Sequence, residues 1–200
     1  NMHNDYMVTV ADKRQLILDA AQHVFAEKGF HTSTMDAVAE AAGVAKGTIY
    51  LYFKGKNELL IELVDDRTRR LTDMILNGIA SAEDVFGKVF AVIEAHFQFY
   101  SIHSEFMLLF SGQLGLLSPE MEERLVTGTA ALINMVCGVI EEGMALGVIS
   151  SNVDPMRASF ALEGMIHSVA YQWLSAGKSV SVSVVSHEVY TLFTHGIACP

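Results

Sequence analysis

Lys46, Gly47 and Thr48 follow one another in the chain, a cation, a residue without a side chain and a hydroxyl. That trio suits phosphate. If it opens a helix, backbone N–H groups and the helix dipole favour an anion there. Gly47 lets another backbone approach closely. Thr48 can donate to a phosphate or touch a base edge, and Lys46 can reach either. The plainer reading of the same stretch is a solvated charged surface, with Tyr50 and Tyr52 as core aromatics. A phosphate-loop enzyme fits poorly. Gly43-Val44-Ala45-Lys46-Gly47-Thr48 has the right residue types in the wrong order, because Lys should directly follow the second Gly, and no strand precedes it. There is no G-x-S-x-G elbow, H-E-x-x-H helix or C-x-x-C pair either, so catalysis is not expected.

The elements that would position this trio read as a helix-turn-helix within Thr32–Leu60. Helix 2 is expected from Ser33/Thr34 to Gly43, and helix 3 from Ala45 to Leu51 or Phe53. Ala39 is small enough for two helices to approach. Gly43 supplies the backbone freedom of a tight turn. Val38, Ala42, Val44 and Ile49 can form the small core that fixes the crossing.

Strand signals are nearly absent, and apolar residues recur at helical spacing between caps. Helix 1 is expected from near Thr9, with Asp12 as its capping-box partner, to Lys28-Gly29. Asn57 should cap a long helix 4. Ser81 with Asp84 should open helix 5, which runs to about His103. Helix 6 is expected over Glu105–Ser111, and Gly112–Leu117 as a loop. Ser118-Pro119 should start helix 7, ending near Leu146 before Gly147, and Asp154-Pro155 helix 8, ending at Gly177. Helix 9 should cover Ser183–His195. The fold class is therefore all-α, with about nine helices. A three-helix unit with the helix-turn-helix over 9–56 precedes a larger helical bundle over 57–200.

Charge supports the division. The chain carries a net charge of −10, which alone argues against a nucleic-acid partner. From Asp12 to Lys56, however, six basic residues face five acidic ones, and residues 57–200 hold seven basic against seventeen acidic. A duplex responds to local potential, since the Debye length is only about 8 Å at physiological salt. Weak non-specific binding is expected, with a dimer adding contacts. The longest apolar uncharged run, Leu125–Ile140, includes Thr127, Gly128, Thr129 and Asn134. It is shorter than the roughly 20 residues of a spanning helix. The opening residues are neither basic nor apolar enough for a signal peptide. Two cysteines, Cys137 and Cys199, make no disulfide framework, which fits a reducing cytoplasm.

Three segments carry a more specific pattern. They are R-x-x-I-L-D-A-A-x-x-V-F-A-E-K-G-F at 14–30, T-M-x-x-V-A-E-A-A-G-V-A-K-G-T-I-Y-x-Y-F at 34–53 and K-x-E-L-L at 56–60. In these residues the chain resembles the TetR (tetracycline-repressor) family of bacterial transcription regulators. The later helices match only in number, length and order. The resemblance implies a homodimer on double-stranded operator DNA, most often as a repressor. It implies a C-terminal pocket for a small apolar or amphipathic effector whose occupancy changes DNA affinity. By the same resemblance Tyr50 contacts the DNA backbone, Tyr52 lies near the groove and Lys56 binds phosphate. Thr34 starts helix 2 where phosphate is often touched. Ala45, which opens helix 3, is counted with this set.

The C-terminal part is rich in aromatics and methionine. His96, Phe97, Tyr100, His103, Phe106, Met107 and Phe110 crowd one stretch. Met135 and Met144 lie in helix 7, and Met165, His167, Tyr171 and Trp173 in helix 8, with Glu163 and Gln172 among them. Such an interior adapts to irregular apolar ligands, and a few polar groups could orient one. For each residue alone, ordinary core packing reads as well. His96 and His103 share a helix face and could take His167 as a third metal ligand. No Cys or carboxylate has matching spacing, so neither a metal nor another cofactor is expected. Helices 8 and 9 (about 155–176 and 183–195) are apolar on more than one face. That suits burial against a second subunit, as the resemblance also implies.

Overall fold

The computed structural model describes residues 10–110 and 119–197, without side-chain detail at a few positions near those limits. Among the described residues there are nine helices and no strand. They are α1 (Val10–Lys28), α2 (Met35–Ala41), α3 (Lys46–Tyr52), α4 (Lys56–Ser81), α5 (Val85–Ile102), α6 (Ser104–Phe110), α7 (Pro119–Ala145), α8 (Pro155–Ser175) and α9 (Val182–Ile197). None is long and apolar enough to cross a membrane. The expected Thr9 start of helix 1, the Gly112–Leu117 loop and the Ser118 cap lie outside the described residues.

The chain divides into two compact units inside α4, between Asp66 and Arg67. In the N-terminal unit, Ile17, Leu18, Val24 and Phe25 of α1 are buried with Val38 and Ala39 of α2 and Ile49 of α3. Leu59, Leu60, Leu63 and Val64, from the first turns of α4, are buried as well. Thr34 caps α2, its hydroxyl oxygen accepting from the Ala37 amide at 3.1 Å. Gly43 closes α2 with φ +66°, a conformation that any side chain would strain. Ala45 is the extended cap of α3, so helix 3 begins at Lys46.

Two expected starts move. Asn57 lies inside α4, which begins one residue earlier. The reason is Glu58, whose carboxylate reaches back to accept from the Lys54 amide at 2.5 Å and takes over the cap. Ser81 does not open α5. It ends α4, its hydroxyl donating to the Asn77 carbonyl at 2.9 Å. Asp84 alone caps α5, accepting from the Gly87 amide at 2.7 Å. Helix 6 begins one residue earlier than expected, at Ser104, its expected end at Ser111 lying outside the described residues, and helix 9 extends to Ile197.

The C-terminal unit packs α5 at its centre. Val89, Val92, Ile93, Phe97 and Phe99 of α5 are buried with Ile133, Val136 and Ile140 of α7. Leu162, Ile166 and Trp173 of α8 and Val185, Val189 and Phe193 of α9 complete that core. Asp154 caps α8 by accepting from the Arg157 amide at 2.8 Å, with Pro155 at the first helical position.

Candidate functional site

The first candidate is the surface of α3. Only Ile49 of its seven residues is buried, followed by the buried cap Phe53, and most of the helix faces outward. Lys46 and Gly47 are exposed, Thr48 and Tyr52 half-buried. Tyr50 is 47% and Leu51 83% exposed. A Cβ built on Gly47 would meet nothing within 4 Å. The bare backbone is therefore no packing requirement of the protein itself. Leu51 was not among the sequence candidates. An exposed leucine is a poor surface residue, but it suits the methyl group of thymine in a major groove.

Lys46 is not an isolated cation. Its Nζ donates to Asp36 Oδ2 at 2.6 Å, and both side chains are more than half exposed. The carboxylate raises the lysine's pKa, first through that hydrogen bond and then through its charge. Asp36, in the first turn of α2, was also missed. Its ten-residue separation from Lys46 becomes a contact only when the α2–α3 turn brings the two helices together.

Lys56 has partners within the protein. Its Nζ donates to the carbonyls of Phe30, His31 and Ser33 at 2.6, 2.9 and 2.9 Å. It also lies 4.7 Å from the centre of the Phe30 ring. A lysine ammonium has three protons, and three carbonyls take them. The residue ties the start of α4 to the α1–α2 turn, the segment that delivers Thr34. Arg14 and Glu62 form a second tie, between α1 and α4.

The second candidate is a buried polar cluster between α5 and α8. His96 is fully buried and its Nδ1 lies 2.8 Å from the Val92 carbonyl. Its Nε2 faces Glu163 Oε2 at 3.5 Å. The same carboxylate oxygen lies 3.9 Å from His167 Nε2, and Tyr100 Oη is 3.0 Å from that nitrogen. Burial raises the Tyr100 pKa well above the ordinary phenol range, with the Glu163 charge adding to it. The hydroxyl therefore keeps its proton and donates. Desolvation lowers the His167 pKa, against the pull of Glu163. Glu163, one polar residue among several in the sequence, is the hub. The only local signal is its four-residue spacing from His167.

The other sequence candidates scatter around this cluster. Phe97 and Trp173 are buried edge to face, 5.8 Å apart. His103 closes α5 with its ring against Phe99. Phe106, Met107, Met135, Met144 and Met165 pack half-buried on the core. Tyr171 is 49% exposed, on the outward side of α8 and so removed from the interior group. The Phe110 side chain lies outside the described residues. Among the described residues no three His, Cys, Asp or Glu are placed to hold a metal ion.

The third feature is the outer face of α8 and α9. Phe160, Val184 and Leu192 are 59%, 46% and 67% exposed. Ser183, Val184, His187, Glu188, Thr191 and Leu192 line an open, mostly apolar groove along α9. Apolar side chains gathered on an outer helix face make it a candidate interaction surface.

Comparison with known proteins matches both units. Residues 17–63 fit the family described as bacterial regulatory proteins, tetR family. Residues 82–197 fit the tetracyclin repressor-like C-terminal domain. A fatty acid metabolism regulator protein of Bacillus subtilis is 28% identical over 185 residues, covering 92% of this chain and 95% of its own. The transcriptional repressor KstR2 of Rhodococcus jostii is 26% identical over 94% of this chain and 92% of its own. The transcriptional activator FasR of Mycolicibacterium smegmatis is 26% identical, over 73% of this chain and 71% of its own. Among solved structures, the fatty acid degradation regulator FadR of Bacillus halodurans superposes with a TM-score of 0.83 at 27% identity, over 92% of this chain and 95% of that one. FadR of Bacillus subtilis, solved in complex with stearoyl-CoA, superposes with a TM-score of 0.81 at 28% identity, over 92% and 98%.

Proposed function

The chain belongs to the tetR family of bacterial regulatory proteins, and from that premise we propose that this DNA-binding transcriptional regulator is a repressor released by an acyl-chain effector. The observation that carries the reading is the outward surface of α3. A helix that buries only Ile49 of its own residues leaves Lys46, Gly47, Tyr50, Leu51 and the exposed parts of Thr48 and Tyr52 for a duplex. Lys46 and Thr48 reach phosphate or base edges, Tyr50 and Thr34 touch the backbone, and Tyr52 lies at the groove. Ala45 and Gly47 allow close approach. Lys56 acts through the turn it ties rather than on phosphate.

Two copies assemble through the apolar outer faces of α8 and α9, supported by exposed Phe160, Val184 and Leu192. Their α3 helices enter successive major grooves of a palindromic operator, about 34–36 Å apart. Its site of action is the bacterial cytoplasm, on the nucleoid. The effector is amphipathic, a long-chain acyl thioester. The support is a half-buried methionine set on an aromatic core, and the stearoyl-CoA complex of the Bacillus subtilis relative. Effector bound in the C-terminal unit acts on the DNA head through α4, which runs through both units. A coupling of about 1–3 kcal/mol would change operator affinity roughly 5–150-fold. The activator among the relatives favours the second reading, in which the same head recruits rather than blocks.

The test is fluorescence anisotropy on duplexes from the intergenic region upstream of the gene. Saturable binding that stearoyl-CoA weakens by about fivefold or more supports the reading. Stearoyl-CoA that leaves or strengthens operator binding excludes release as the mechanism. Indifference to every duplex at low salt removes the DNA assignment of α3.

A further inference from the structure

The polar cluster between α5 and α8 is incomplete in a way that specifies what completes it. A carbonyl oxygen only accepts, so His96 carries a proton on Nδ1 and donates it to Val92. Its Nε2 then faces Glu163 Oε2 at 3.5 Å. Two bare lone pairs at that separation would repel. A proton on Nε2 would face that oxygen, but no hydrogen bond is made across the gap. Tyr100 keeps its proton and gives it to His167. After these assignments two buried atoms still lack a hydrogen-bond partner, His96 Nε2 and Glu163 Oε1. Buried polar groups are almost always paired, and an unpaired buried carboxylate oxygen is among the costliest exceptions.

We propose that the His96–Glu163 pair binds a hydroxyl or amide group of the amphipathic effector, with the group donating to Glu163 Oε1 and accepting from His96 Nε2. The inference rests on the effector reading above. A hydroxyl carries a donor and an acceptor on one oxygen, and a trans amide carries them on opposite edges and serves by lying between the two orphaned atoms. A bare hydrocarbon supplies neither. A thioester carbonyl only accepts and leaves Oε1 unpaired. His167, whose side chain is 56% exposed, links the buried pair to the surface. Met107, Met135 and Met165 pack half-buried on the same core and can change shape around an acyl chain. Two sources offer the required chemistry, the amides of the coenzyme A arm and a hydroxyl on the acyl chain.

Calorimetric titration of the full chain separates them, with stearoyl-CoA and its β-hydroxylated counterpart as probes, on the wild type and on Glu163→Leu. The substitution should weaken at least one probe by about fivefold or more. Equal weakening of both assigns the amide, and weakening of the hydroxylated probe alone assigns the chain hydroxyl. Smaller effects on both overturn the inference and leave the pair as a structural feature, completed by water or by nothing. If neither probe binds the wild type, the effector class falls together with it. A second measurement does not depend on the variant folding. The Nε2 resonance of His96, followed by nitrogen NMR in the wild type, should move on adding a bound probe. A stationary resonance overturns the proposal.

Discussion

Asp36 holds Lys46 at 2.6 Å across the α2–α3 turn, so the most exposed cation of the reading helix already has a partner before DNA arrives. A phosphate must compete for that lysine. The competition lowers affinity for every duplex alike and leaves sequence-dependent contacts to decide where the protein settles. Asp36→Asn should strengthen binding to non-operator DNA by about twofold to fivefold at low salt. Operator affinity should gain less, so the specificity ratio falls. Anisotropy titrations on both duplexes check this, and a gain confined to operator would refute it.

Lys56→Met should cost stability before it costs phosphate contact. Three charge-assisted hydrogen bonds to the α1–α2 turn disappear together. A loss of about 2 kcal/mol is expected for the N-terminal unit, read as a lowered thermal midpoint. The slope of log affinity against log salt should stay as in the wild type. A slope reduced by about one unit per subunit would mean that the lysine reaches phosphate after all.

Gly47→Ala separates folding from function. The added Cβ meets nothing and the backbone is not in the left-handed region. The variant should be at least as stable as the wild type, by up to about 1 kcal/mol from helix propensity. Operator binding should nonetheless drop, because only the duplex needs that space. Unchanged operator affinity would show that no DNA backbone comes close to Gly47.

Leu192→Lys tests the outer face of α9. Leu192 is 67% exposed and lines the apolar groove there. A charge at that point should shift the protein towards monomer in light scattering while leaving its helical signal intact. Operator affinity should fall with it. A variant that remains dimeric would move the interface elsewhere.

Acid should destabilise the C-terminal unit through His167. Its pKa is lowered on folding, so the unfolded chain binds the proton more readily. Stability then falls as pH drops through the ordinary histidine range towards the folded value. Of the groups facing it, Glu163 attracts the added charge, His96 repels it and Tyr100 hydrogen-bonds the ring nitrogen. His167→Gln should show a shallower fall in thermal midpoint between about pH 7 and pH 5 than the wild type. Parallel curves would argue against the assignment.

The helix-turn-helix was legible because its determinants are local. Thr34 as cap, Gly43 as the left-handed turn and Ile49 as the anchoring side chain lie within one short segment. The start of α5 was misjudged because Ser81 and Asp84 are both good caps. Only the structure reveals that Ser81 bonds back to Asn77 and stays with the preceding helix. The Lys56 tie and the Glu163 hub were out of reach for another reason. Each joins positions far apart in the chain, and no periodicity records which helices become neighbours. The sequence named Glu163 beside His96, Tyr100 and His167, but not that its carboxylate lies between the two histidines.

That α3 buries only Ile49 of its seven residues has an engineering corollary. A reading head that contributes so little to the hydrophobic interior can be rewritten almost without reference to the scaffold. Its outward letters are portable, and grafting another regulator's letters onto this frame should redirect it to a foreign promoter while its chemical input stays the same.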